Sequence, residues 1–183
     1  MNKPILAFFS ALSFLLISPM SVSAKINNYY GLKTGMSKDA ATKYLCVDQL
    51  AAKNKKEFSA LYSDKSIDSL INMLFNEGIF QSDIEKNCSG TDLIDKQFLQ
   101  VYLDFTSDNI LWKITLSYQK PADVLQAIAL KQALDQYFAG HKVVEESVTD
   151  KYGTRTYFIA SIVDDKISAG EINKQKSIFL KKL

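Results

Sequence analysis

The chain has 183 residues, 47% of them hydrophobic and 23% charged, with a net charge of +2 at pH 7. That apolar share provides for a packed core and excludes the low-hydropathy, high-charge composition of a disordered protein. Charge so nearly balanced gives no electrostatic footprint for nucleic acid, and with Arg155 the sole arginine the chain lacks the guanidinium forks that read phosphates and bases.

The amino terminus divides as a secretory signal does. Lys3 supplies the positive start, an apolar run extends from Ile5 to Ile17, and Ser18-Pro19-Met20-Ser21-Val22-Ser23-Ala24 closes it with small residues at Val22 and Ala24. The run falls short of the roughly 20 apolar residues that span a bilayer, so it reads as a leader removed after Ala24 and not as a membrane anchor. No Cys follows that point to take a lipid, and residues 25–183 have the length of one domain. The expected destination is the periplasm or the exterior, where thiols oxidise. Cys46 and Cys88, the two cysteines of the chain, are accordingly expected to form a disulfide.

In the expected mature part, Gly35-Met36-Ser37 leads into a helix with apolar positions Ala41, Tyr44, Leu45 and Leu50, for which Ser37 is the N-cap and Asp39 lies in the favourable first turn. Lys53-Asn54-Lys55-Lys56 reads as a solvated connection. A second helix follows from Ile67, Leu70, Ile71, Leu74 and Phe75 at i, i+3, i+4, i+7 and i+8, ending at Gly78. After a turn-rich patch around Asn87-Cys88-Ser89-Gly90 the period changes to two. Leu99, Val101, Leu103 and Phe105 alternate with polar or amphipathic residues, as do Trp112, Ile114, Leu116 and Tyr118 beyond a Ser107-Asp108-Asn109 turn, and the two runs form a hairpin.

Pro121 sits in the first turn of a third helix, whose apolar face runs through Val124, Ala127, Leu130, Leu134, Tyr137 and Phe138 to a stop at Gly140. Val143 to Thr149 and Thr154 to Val163 make a second hairpin around Lys151-Tyr152-Gly153, closed by Asp164-Asp165. The tail from Glu171 to Leu183 fits either a short basic helix or a last strand at Ile178-Phe179-Leu180. The order helix, helix, hairpin, helix, hairpin predicts an α+β fold in which an antiparallel sheet of two hairpins carries its helices on one face. Two helix-plus-hairpin units in succession also fit a degenerate repeat, although the two units do not align.

The stretch Gly31-Leu32-Lys33-Thr34-Gly35-Met36-Ser37-Lys38-Asp39-Ala40 resembles the opening of small bacterial envelope domains related to BamE (the SmpA/OmlA family) and to beta-lactamase inhibitor protein. Val101 to Phe105 with Ile110 to Ile114 is similar to the strand pair of such modules. The resemblance implies a sheet that follows two helices, and a role in envelope assembly or in inhibiting a protein. BamE-like proteins are lipidated, whereas this chain has no lipobox cysteine.

Chemistry has little to work with. His141 is the single histidine and follows Gly140 at a predicted helix end, where a surface histidine near the terminal carbonyls explains it, so no catalytic residue is assigned. A histidine-based zinc site is excluded by count, no Asp-rich calcium loop is present, and the seven glycines form no phosphate loop, so neither metal nor cofactor is expected. Binding is left. In the register above, Tyr102, Lys113 and Thr115 point away from the core, with Arg155 and Tyr157 beside them, and Tyr and Arg concentrate energy at interfaces. The expectation is an exported module that binds another protein as an inhibitor or immunity protein in the periplasm. An envelope-assembly or structural accessory is the alternative, and an unrecognised hydrolase a third.

Overall fold

The computed structural model describes residues 26–93, 97–151 and 153–180. The expected leader 1–24, the hairpin-tip residue Tyr152 and the last residues 181–183 lie outside them. The chain starts with two short antiparallel strands, β1 (Asn28–Tyr29) and β2 (Leu32–Lys33), joined through Tyr30-Gly31. Ser37 then caps α1 (Lys38–Tyr44), its Oγ accepting from the Ala40 N–H at 3.2 Å. This satisfies one of the donors that a helix start leaves unpaired.

The helix expected to continue to Leu50 breaks at Leu45-Cys46. Cys46 takes a left-handed backbone at φ 52°, and a separate helix, α2 (Val47–Glu57), starts there and buries Val47, Leu50 and Ala51. The Lys53–Lys56 segment, read from sequence as a connection, is the last turns of α2. Its apolar residues turn inward at helical spacing while the lysines take the outer side, and Lys55 Nζ donates to the Lys65 carbonyl at 2.5 Å. A short α3 (Ser59–Tyr62) precedes α4 (Ile67–Glu77), which is capped by Ser66 and stops at Gly78, as its spacing predicts. Two elements without a sequence signal follow, β3 (Ile79–Phe80) and α5 (Gln81–Asn87). The disulfide Cys46–Cys88 joins the α1–α2 break to the end of α5, across 42 residues of sequence and a Cα–Cα distance of 5.4 Å.

The first hairpin is β4 (Gln100–Phe105) and β5 (Leu111–Gln119), with a bulge at Asp104/Phe105. Next come α6 (Val124–Tyr137), β6 (Lys142–Asp150), β7 (Gly153–Val163) and α7 (Asp165–Leu180). Pro121 lies ahead of α6 and not in its first turn, because Asp123 takes the N-cap by accepting from the Gln126 N–H at 2.8 Å. The tail left open between helix and strand belongs to α7 as far as Leu180. Asp164 caps that helix through the Lys166 and Ile167 N–H groups, and Glu171 and Lys174 bond to Ser107 and Asp108 of the β4–β5 turn.

The fold is α+β, with seven helices and two antiparallel sheets among the described residues, and the larger sheet runs in the order β3-β4-β5-β7-β6. β5 pairs with β7, which sets the two hairpins side by side: Ile114 opposes Ile162, Leu116 opposes Ala160 and Tyr118 opposes Phe158. Because side chains alternate along a strand, this register sends those six residues, with Val101 and Leu103, to one side. There they merge with Leu45, Leu70, Phe75, Leu134 and Phe138 from the helical segments in one buried cluster. Each buried Val, Leu, Ile or Phe among them contributes roughly 1.5–3 kcal/mol by leaving water. α6 adds less than its pattern promised: Ala127, Leu134 and Phe138 turn inward, whereas Val124 and Tyr137 are exposed.

The start of α1 is stitched to the first hairpin. Gly35 donates to the Leu111 carbonyl at 2.8 Å, Leu111 donates to Met36 at 2.9 Å, and Lys38 donates to Asn109 at 2.8 Å. The Gly-Met-Ser turn and the strand pair are thus one hydrogen-bonded unit.

Candidate functional site

The odd residues of β5 from Lys113 onward, the odd residues of β7 and the even residues of β4 and β6 form the second side of the large sheet, away from the buried cluster. This face holds two adjoining depressions. One, of about 490 Å³, lies over Gln100, Tyr102, Ser117, Gln119, Arg155 and Tyr157, with Phe80 at its rim. The other, of about 450 Å³, extends over Asp104, Lys113, Thr115, Val144 and Ser161 to Phe75 and Asn76 at the end of α4. Tyr102, Glu146 and Ile159 belong to both and form the divide between them.

Tyr102, Lys113 and Thr115, which the strand period placed outward, are gathered here with Arg155 and Tyr157, expected beside them. Tyr102 donates to Gln100 Oε1 at 3.0 Å, and burial of its ring, then the neighbouring Tyr157 hydroxyl, raise its pKa above the ordinary tyrosine value. Lys113 pairs across the strands with Asp104 at 3.2 Å and lies 5.9 Å from the centre of the Trp112 ring. Thr115 Oγ1 and Ser161 Oγ share a hydrogen bond at 3.2 Å. Arg155 is bonded to Asp150 at the hairpin tip. The face is therefore amphipathic: tyrosine rings and aliphatic side chains make the floor, and Lys113 and Arg155 stand in local pairs with Asp104 and Asp150.

Three members were not picked out from sequence. Ser117 is only 4% exposed, and its Oγ has no hydrogen-bond partner. Glu146 has no ion-pair partner among the described residues, and Ile159 supplies the aliphatic centre. None has a local signature, since what brings them together is the pairing of β5 with β7 and of β7 with β6.

His141 is not on this face; its backbone N–H donates to the Phe138 carbonyl at the end of α6 at 2.8 Å, near the terminal carbonyls as its position after Gly140 implied, but its ring turns elsewhere. Its ring is half-buried, with Nε2 against the Ile26 carbonyl and Nδ1 accepting from the Val163 N–H at 3.5 Å. Both nitrogens are thereby engaged in tying the start of the described chain to the end of β7. Among the described residues no group of three or more His, Cys, Asp or Glu side chains converges in a way that could hold a metal ion, and no helix is long and apolar enough to cross a membrane.

A second exposed apolar patch occurs on the first turns of α6, where Val124 and Leu125 are 69% and 77% exposed beside a depression of about 420 Å³ over Phe158. Comparison with models of protein families, with curated proteins and with solved structures gives no match to this chain.

Proposed function

We propose that the protein is an exported binding module that uses the open face of its large sheet to engage another protein, as an inhibitor or immunity protein of the cell envelope. The observation that carries this reading is the convergence of Tyr102, Tyr157, Arg155, Lys113 and Thr115 over two adjoining depressions. Rigid aromatic side chains on a strand lose little entropy when they are covered, so such a floor yields affinity at small ordering cost. The Cys46–Cys88 disulfide supports export, because such bonds persist in oxidising compartments. His141 has both ring nitrogens engaged away from this face, and Lys113 and Arg155 are held in ion pairs with Asp104 and Asp150, which favours binding over turnover.

The test is direct binding to candidate secreted toxins and envelope enzymes, measured with residues 25–183. A functional partner loses activity when bound. The variants Tyr102→Ala and Tyr157→Ala are expected to weaken that complex about 30-fold or more each, the size of an interface hot spot. A complex untouched by both substitutions removes the open face from the function.

An accessory role in envelope assembly is the second reading. It rests on the bonded unit of Gly35, Met36 and Lys38 with Leu111 and Asn109. Under that reading, loss of the protein changes outer-membrane integrity and not resistance to one enzyme.

A further inference from the structure

The two edges of the large sheet are treated differently. β3 is a two-residue stub running directly into α5, whereas β6 is a nine-residue strand paired on one side only. Its register with β7 is regular from Lys142 to Asp150, it contains no proline, and most of its residues are exposed. An edge of this length presents a row of unpaired backbone donors and acceptors to any strand that approaches it.

The side chains select which strand that is. Lys142, Val144 and Glu146 follow one another on the open face, since they pair with Ser161, Ile159 and Tyr157. The other two acids of the strand that form ion pairs are occupied within the chain, Glu145 by Lys120 at 2.6 Å and Asp150 by Arg155. Lys142 and Glu146 have no ion-pair partner among the described residues. A second copy of β6 laid antiparallel about a two-fold axis at Val144 sets Lys142 opposite Glu146 of the other copy, twice by symmetry, with Val144 opposite itself. Shifting the axis to Glu145 or to Glu146 sets like carboxylates against each other, which is unfavourable for directly opposed residues. The strand is self-complementary in one register.

We propose that the protein associates with itself through β6, antiparallel about Val144, as an isologous two-fold dimer that joins the two large sheets edge to edge. The two open faces then lie on one continuous surface. The inference does not depend on what the open face binds.

Sedimentation equilibrium of the full chain at low ionic strength tests it, with circular dichroism to confirm that the variants fold. The expected result is a reversible monomer–dimer equilibrium. Lys142→Glu and Glu146→Lys each weaken it about tenfold, and the double reversal Lys142→Glu/Glu146→Lys restores it to within about threefold of the parent. Val144→Cys closes a disulfide between copies on mild oxidation, and Val148→Cys, away from the axis, does not. A chain that stays monomeric up to about 1 mM overturns the proposal. So does failure of the double reversal to rescue, a dimer broken by Leu125→Lys but by neither charge reversal, or β6 taken up by an extended segment of a different protein while the chain itself remains monomeric.

Discussion

The ring of Tyr102 closes over Gly78: a Cβ on that glycine would lie 2.6 Å from Cε1 and 2.7 Å from Cζ of the tyrosine. Gly78 also has φ +89°, a left-handed value that side chains resist, so helix α4 can end there and deliver the chain to β3 only with a glycine. The end of a helix and the centre of the open face are thereby in direct contact. Gly78→Ala is expected to destabilise the protein by about 1–3 kcal/mol in urea denaturation. In the Tyr102→Ala background the same change costs less, because the clash is gone and only the backbone strain is left. An equal cost in both backgrounds removes Tyr102 as the reason for the glycine.

The disulfide closes a loop spanning α2, α3, α4 and α5. The chain-entropy model assigns such a loop about 4 kcal/mol. Cys46→Ser with Cys88→Ser is expected to lower the urea midpoint by a corresponding amount with the slope of the transition little changed, and a reducing agent is expected to do the same to the parent. A midpoint that moves by less than about 1 kcal/mol-equivalent shows that the helices hold together without the cross-link.

Ser117 is a buried hydroxyl without a partner, next to Thr115, whose hydroxyl has one. An unsatisfied buried hydroxyl costs free energy, whereas a satisfied one contributes about 1 kcal/mol. Ser117→Ala is therefore expected to leave stability unchanged or raise it by roughly 1 kcal/mol, while Thr115→Ala lowers it by about that much. Thermal unfolding of the two variants side by side decides the matter, and a loss on Ser117→Ala shows that its hydroxyl is in use.

A cluster of rings from Tyr29, Tyr30, Tyr118, Tyr137 and Phe138 fills the space between β1, β5 and the end of α6. Tyr118 donates to the Tyr29 hydroxyl at 3.2 Å, and burial raises the pKa of both above the tyrosine reference of 10.0. For Tyr137, burial and then the nearby Tyr30 hydroxyl push the value up to about 12. A raised folded-state pKa means that the folded chain holds the proton longer than the unfolded one. The stability linked to it is complete below pH 10 and is lost as pH rises through the folded values. Alkaline unfolding is expected to begin just above pH 10 and to steepen toward about 12, with tyrosinate absorbance and circular dichroism changing together. Tyr118→Phe reduces the slope in that window, and an unchanged slope removes Tyr118 from the linkage.

Local period carried much of the architecture. Alternation along Val101–Phe105 and Ile114–Tyr118 assigns both the strands and the side each residue faces, and the spacing in α4 with Gly78 at its end assigns that helix. Pattern failed where tertiary structure decides. Nothing local signals that Cys46 turns left-handed and divides one helix into two, since a cross-link to a residue 42 positions away is anchored there. α5 buries only Ile84 and so has no periodic face to read, and the lysines of α2 hid a helix whose buried side is Val47, Leu50 and Ala51. Tyr102, Lys113 and Thr115 were legible as outward residues, and Arg155 and Tyr157 beside them. Ser117, Glu146 and Ile159 became part of the site only through the pairing of hairpins that the sequence does not announce.

Strands β4, β5 and β7 carry two independent messages on alternate letters. Val101, Leu103, Ile114, Leu116, Phe158, Ala160 and Ile162 hold the molecule together, and the outward residues between them, such as Tyr102, Thr115 and Ser161, make the open face. Substitutions in the second set leave the first intact, so the open face can change over successive generations while the chain remains folded. Under the proposed function, a partner that drifts is followed one outward residue at a time.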